Sequence, residues 1–170
     1  MDGIGVWQRL DIIARALCPS ATLFLLVLAS LLPLRSPTLA PVMPSLMLVG
    51  VYHWSIFRPD LLPAWAVLCL GLFHDLLFGL PLGSGALVLL LVQRTIHLQR
   101  KLFQNATLAI LWAIFAGMAA LAMGLQWILV AVLAGTLGSG DQMLLQYAVT
   151  LASYPVVAWL LLRTQQFLLS

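Results

Sequence analysis

Gly71-Leu72-Phe73-His74-Asp75-Leu76-Leu77-Phe78-Gly79-Leu80-Pro81-Leu82-Gly83-Ser84-Gly85 sets a carboxylate in an apolar run and a helix break directly behind it. Ala66 to Leu70 and Leu72 lead up to Asp75, and Leu76, Leu77 and Phe78 follow. A carboxylate near the centre of a bilayer costs roughly 2.5–3.5 kcal/mol on insertion scales, so it requires a partner or a wet cavity. The Gly79-to-Gly83 break would strand main-chain polar groups in lipid, so protein must enclose it. An acid beside a helix break departs from generic hydrophobic packing, and it is the first candidate for a functional centre.

The rest of the chain explains why "lipid" is the right solvent. It has 170 residues, 63% of them hydrophobic and 8% charged, with a mean hydropathy of +1.08. A soluble domain carries about 25% charged residues, so this composition reads as an integral membrane protein. Glutamate is absent, and the net charge of +3 is spread between apolar runs. Scattered basic residues are topology signals, not a nucleic-acid surface. Asp2 and Asp11 interrupt the basic N-terminal region and no Ala-x-Ala site follows Ala21–Leu34, so the first apolar run is expected to stay as an anchor. Cys18 and Cys69 lie in apolar runs at different depths and read as reduced, packed thiols, with no metal or cofactor implied.

The pattern predicts an all-α, polytopic protein forming one transmembrane domain over 1–170, with about six helices of near-membrane length. The spans fall at about 18–34, 39–57, 61–80, 83–98, 102–123 and 143–162. The stretch 125–137 is apolar but short, and reads as an interfacial or re-entrant segment. Six spans with both termini cytoplasmic put Arg9, Arg15, Arg58, Arg94, Arg100, Lys101 and Arg163 inside and Arg35 outside; a seventh span would weaken that bias. The fourth span is short, because Gly83 to Arg94 rises only about 17 Å. Its turn therefore lies below the outer surface, which sets Asp75 in or beside a concavity.

Gly71-Leu72-x-x-Asp75-x-x-x-Gly79-x-Pro81-Leu82-Gly83, followed by a small-residue helix start, resembles the signature of the MreD family of rod shape-determining membrane proteins. The preceding Pro44, Tyr52-x-Trp54 and Arg58-Pro59 fit the same resemblance. It implies a non-enzymatic subunit of the bacterial wall-elongation machinery in the inner membrane. MreC is the direct partner it implies, with MreB, RodA and a penicillin-binding transpeptidase in the same assembly. It further implies a fold similar to the substrate-binding subunits of energy-coupling-factor transporters. Gly71, Asp75, Gly79, Pro81 and Gly83 are the motif residues carried over.

Other polar residues have two readings each. His74 beside Asp75 suggests a proton relay, but neighbours on a helix point about 100° apart, which favours a hydrogen-bonded packing role. Asp75 reads equally as glue between helices or as a contact for a partner or ligand, with Arg35, His53 and Gln126 as candidate mates. His53, Trp54 and Arg58 read as an interfacial belt with a snorkelling arginine, or as a partner or lipid contact. Arg94, His97, Arg100 and Lys101 form a basic patch that anionic lipid attracts by about 1 kcal/mol per charge. Ala109, Ala113, Ala116, Gly117 and Ala120 make a close-packing face, inside the fold or toward a partner helix.

No catalytic signature is present: Leu82 and Leu137 stand where a Gly-x-Ser-Gly nucleophile motif needs its first glycine, and no carboxylate pair sits at helical spacing. Two functions of different class remain. One is a scaffold subunit that binds other membrane proteins. The other is a vitamin-like small-molecule binding subunit of a transporter, against which Ala14, Ala16, Ala21 and Ala29 offer no Ala-x-x-x-Ala docking face.

Overall fold

The computed structural model describes residues 6–31, 43–99, 103, 106–135 and 138–169, with side chains described for 19–31, 43–99, 103, 106–135 and 138–163. Six α-helices account for most of them: α1 (Val6–Leu31), α2 (Leu46–Phe57), α3 (Ala64–Phe78), α4 (Ser84–Leu98), α5 (Leu108–Ala134) and α6 (Gly140–Leu169). A single 3-10 turn, Pro59–Leu61, joins α2 to α3. Arg35, Arg100 and Lys101 lie outside the described residues.

Helix length divides the fold in two. At 1.5 Å per residue, α2 spans about 18 Å and α3 and α4 about 22 Å each, short of a hydrocarbon core of about 30 Å. By contrast, Leu108–Ala134 and Gly140–Arg163 are long and apolar enough to cross a membrane. Only 28% of the most apolar window of each is buried within the protein. A core helix of a soluble protein would be mostly covered, whereas these turn Trp112, Leu121, Val132, Leu144 and Val156 outward. Apolar outward faces of that extent suit a lipid solvent.

The 125–137 stretch corrects the reading of the sequence. Most of it is not a separate segment: α5 runs unbroken through Gln126 to Ala134 and ends at Gly135, which adopts the left-handed conformation (φ 67°). Gly124 and Gln126 look like punctuation, but Leu125 and Leu129 pack against the core and carry the helix on.

α2 is the hub. Its residues from Met47 to Ser55 are all buried, and α1, α4 and α6 pack around it. A helix that is hydrophobic all round needs such enclosure. Trp54, expected at an interfacial rim, is therefore fully enclosed. His53 is buried as well, its ring 4.6 Å from that of Phe57. Arg58, beyond the end of α2, is exposed. Tyr52 anchors the centre: its hydroxyl donates to the Leu111 carbonyl at 2.9 Å, and its ring meets Phe115 edge-on at 5.0 Å. Tyr154 of α6 stacks on Phe115 at 4.4 Å. At the start of α2, the Ser45 N–H donates to Thr150 Oγ1 at 3.0 Å, which ties the helix to α6.

Gln93 fastens the α2–α3 connection to α4. Its side-chain amide donates to the Leu62 carbonyl at 2.7 Å, and both residues are buried. Gln93→Leu leaves that carbonyl without a donor, so stability should fall by about 1–3 kcal/mol in thermal unfolding of the purified protein. An unchanged unfolding temperature would show that the connection holds without it.

Candidate functional site

The Gly71–Gly85 stretch forms a clasp between α3 and α4, the most closely associated pair of helices in the fold. α3 ends at Gly79, whose left-handed backbone (φ 64°) turns the chain without the steric cost a Cβ would bring. The Leu80 N–H returns to the Asp75 carbonyl at 2.9 Å, and the Ser84 N–H donates to the Pro81 carbonyl at 3.1 Å. Gly83 then opens α4 at φ 93°, again a glycine conformation.

Asp75 closes the clasp. Its side chain is fully buried. Oδ2 accepts from the Gly83 N–H at 3.0 Å and the Ala86 N–H at 3.4 Å. The Gly85 N–H lies 3.1 Å from both carboxylate oxygens. The first turn of a helix carries unpaired N–H groups and the positive end of the helix dipole, so a carboxylate is the side chain best suited to satisfy it. One residue thus serves two helix ends: its main-chain carbonyl caps α3 and its side chain caps α4.

The glycines make this approach possible. A Cβ on Gly71 would lie 2.6 Å from Ala86 Cα, and a Cβ on Gly85 would overlap Asp75 Oδ1. Gly71 and Asp75 are four residues apart and share the face of α3 that meets α4. Gly71, Asp75, Gly79, Pro81 and Gly83 are thus brought together in one device. Gly85 belongs to it too, and its place two residues beyond Gly83 at the helix start was the available signal.

Among the described residues the mates of Asp75 are main-chain N–H groups, not the side chains of His53 or Gln126. Gln126 comes near through α4, its Nε2 3.5 Å from Ser84 Oγ. His74 Nδ1 sits 3.8 Å from Asp75 Oδ1, beyond hydrogen-bond reach, and its ring stacks on Phe78 at 4.5 Å. Its packing role is as expected; the hydrogen bond is not formed through Nδ1.

Beside the clasp lies a half-open cavity of about 420 Å³. Ser30, Ser45, Leu80, Gly85, Val130 and Ser139 are among its lining, so it gathers the C-terminal ends of α1, α3 and α5 and the N-terminal ends of α2, α4 and α6. Successive helices therefore alternate in direction. Asp75 lies beneath the cavity wall rather than in it. The remaining candidates are dispersed: Arg94 is exposed toward the far end of α4, and Cys69 is exposed on α3. Among the described residues no three His, Cys, Asp or Glu side chains form a metal-binding group. The small residues of α5 divide, with Ala119 and Ala122 buried and Ala109, Ala113, Gly117 and Ala120 exposed.

Comparison with known proteins gives one family. The family model for rod shape-determining protein MreD matches residues 11–164, nearly the whole chain and all of the clasp. No curated protein and no solved structure matches. With the match reaching into every helix, the chain belongs to the MreD family of rod shape-determining proteins.

Proposed function

We propose that this chain is a non-enzymatic scaffold subunit of the wall-elongation machinery in the bacterial inner membrane, where it binds an MreC-like protein and through it MreB, RodA-type synthases and a penicillin-binding transpeptidase. The observation that carries the reading is the outward small-residue face of α5. Ala109, Ala113, Gly117 and Ala120 are exposed, and a Cβ on Gly117 would meet nothing within 4 Å. In lipid, helices associate chiefly by close packing, and small residues let two backbones approach. Asp75, the acid with the greatest chemical potential, is already engaged by its own main chain.

Orientation supports the same reading. Arg58, Arg94 and Arg163 all belong to the ends of α2, α4 and α6 remote from the cavity. The positive-inside rule assigns that end, with both chain termini, to the cytoplasm. The exposed Arg58 and Arg94 then face anionic headgroups or a cytoplasmic partner.

Gly117→Leu tests the assignment in cells lacking the native copy. Membrane level and thermal unfolding should match wild type, since the site is open. Recovery of the MreC-like partner by affinity purification should drop at least about tenfold, equivalent to about 1.4 kcal/mol, and rods should round up. Full recovery would remove α5 as the docking face. The second reading, a small-molecule binding subunit of a transporter, is favoured by the cavity. Co-purification with a transporter ATPase pair and unchanged cell shape would establish it instead.

A further inference from the structure

The cavity beside the clasp holds polar groups that the scaffold role does not use. Gln142 and Gln146 lie one turn apart on α6 and line it together with Gln126 of α5. The side-chain amides of Gln142 and Gln146 make no hydrogen bond among the described residues. Gln142 is exposed and Gln146 half-buried at this half-open cavity, so both amides are available to an occupant that donates and accepts. The volume of about 420 Å³ is within the range of small-molecule sites, about 300–1,000 Å³. Met123, Met143 and Trp127 supply adaptable apolar walls.

Charge decides what kind of occupant fits. A helix N-terminus at a cavity wall ordinarily attracts anions. Here Asp75 and the Pro81 carbonyl already take the N–H groups of Gly83 to Ala86. Among the described residues the lining contains no Asp, Glu, Lys or Arg, and His74 is its one titratable side chain. Among these residues neither an anion nor a cation finds a fixed counter-charge.

We propose that this cavity binds an uncharged amphipathic molecule, its hydrogen-bonding head read by Gln126, Gln142 and Gln146 and its apolar body held between Met123, Met143 and Trp127. Such chemistry is offered by the glycerol-ester region of a neutral lipid and by a small amide-bearing solute. The site is independent of partner docking on α5, and it stands or falls separately.

The test uses the full chain in nanodiscs of phosphatidylethanolamine and phosphatidylglycerol. Three photoreactive probes of equal chain length carry a diazirine at the same carbon: a monoacylglycerol, a primary amide and a carboxylate. The two neutral probes should label the peptides holding Met123 and Met143 about tenfold more than the carboxylate does. Gln142→Leu with Gln146→Leu should lower that labelling about tenfold, the equivalent of two lost hydrogen bonds. Met143→Trp should block it by filling the space, with thermal unfolding checked for both variants. Competition by excess unlabelled monoacylglycerol alone assigns the site to a lipid, and competition by a water-soluble short-chain amide alone assigns it to a solute. Equal labelling by all three probes, labelling confined to outward faces of α5 and α6, or an unchanged double variant that folds normally would overturn the proposal.

Discussion

Replacing Asp75 by leucine is expected to cost the folded protein about 4 kcal/mol while leaving its insertion into the membrane intact. The carboxylate satisfies the N–H groups of Gly83, Gly85 and Ala86. Each buried donor left without an acceptor costs about 1–3 kcal/mol. Three such losses at one site are not fully additive, because the α4 end can fray to reach water. Leucine lowers the insertion cost, so delivery to the membrane is not the step that fails. Asp75→Asn should fall between, at about 2 kcal/mol. Its amide keeps one acceptor oxygen but turns an –NH₂ donor toward main-chain donors. Unfolding in detergent and the amount of protein in membranes are the two readouts. A Leu variant as stable as wild type would show that α4 is capped by something else.

That ordering differs from what the sequence alone suggests. Read as a lone membrane acid, Asp75 invites a search for a cationic or amide side chain, and retention of function by Asn would diagnose hydrogen bonding. The structure replaces the side-chain partner with main chain. Main-chain donors carry no sequence label, so this partner was legible only through its consequences: the glycines at 71 and 85 that let the backbone come close and those at 79 and 83 that turn it. The motif spacing marked residues that the clasp brings together and left open what they do.

The same limit applied to the helices. Pro and Gly breaks marked the end of α2 at Pro59 and the α3–α4 turn at Gly79 to Gly83, whereas α2 starts at Leu46, well inside the 39–57 run, and α4 ends at Leu98 with no such break. The end of α5 was not readable, since Gly124 and Gln126 weaken the apolar pattern while tertiary contacts of Leu125 and Leu129 sustain the helix. Trp54 was misplaced for a related reason. Aromatic residues near an arginine mark an interface when the helix has a free face, and α2 has none. Burial on all sides depends on neighbours distant in sequence, such as Leu111 and Thr150.

Gly71→Ala and Gly85→Ala are expected to destabilise by about 2–3 kcal/mol each, for different reasons that one experiment separates. At Gly71 the added methyl meets the α4 backbone, at 2.6 Å from Ala86 Cα. No rotamer relieves that contact, so the helices move apart at a cost of about 1–3 kcal/mol, and the Asp75 bonds stretch with them. At Gly85 the methyl takes the place of Asp75 Oδ1 and expels the carboxylate. Removing the carboxylate first should therefore make room: in an Asp75→Ala background, Gly85→Ala should cost under about 1 kcal/mol, whereas Gly71→Ala should keep most of its penalty. Gly117 supplies the control, because a Cβ there meets nothing within 4 Å and alanine should gain up to about 1 kcal/mol from helix propensity. Additive losses for Asp75→Ala and Gly85→Ala in that cycle would mean that the glycine and the acid do not share one space, and the clasp would have to be redrawn.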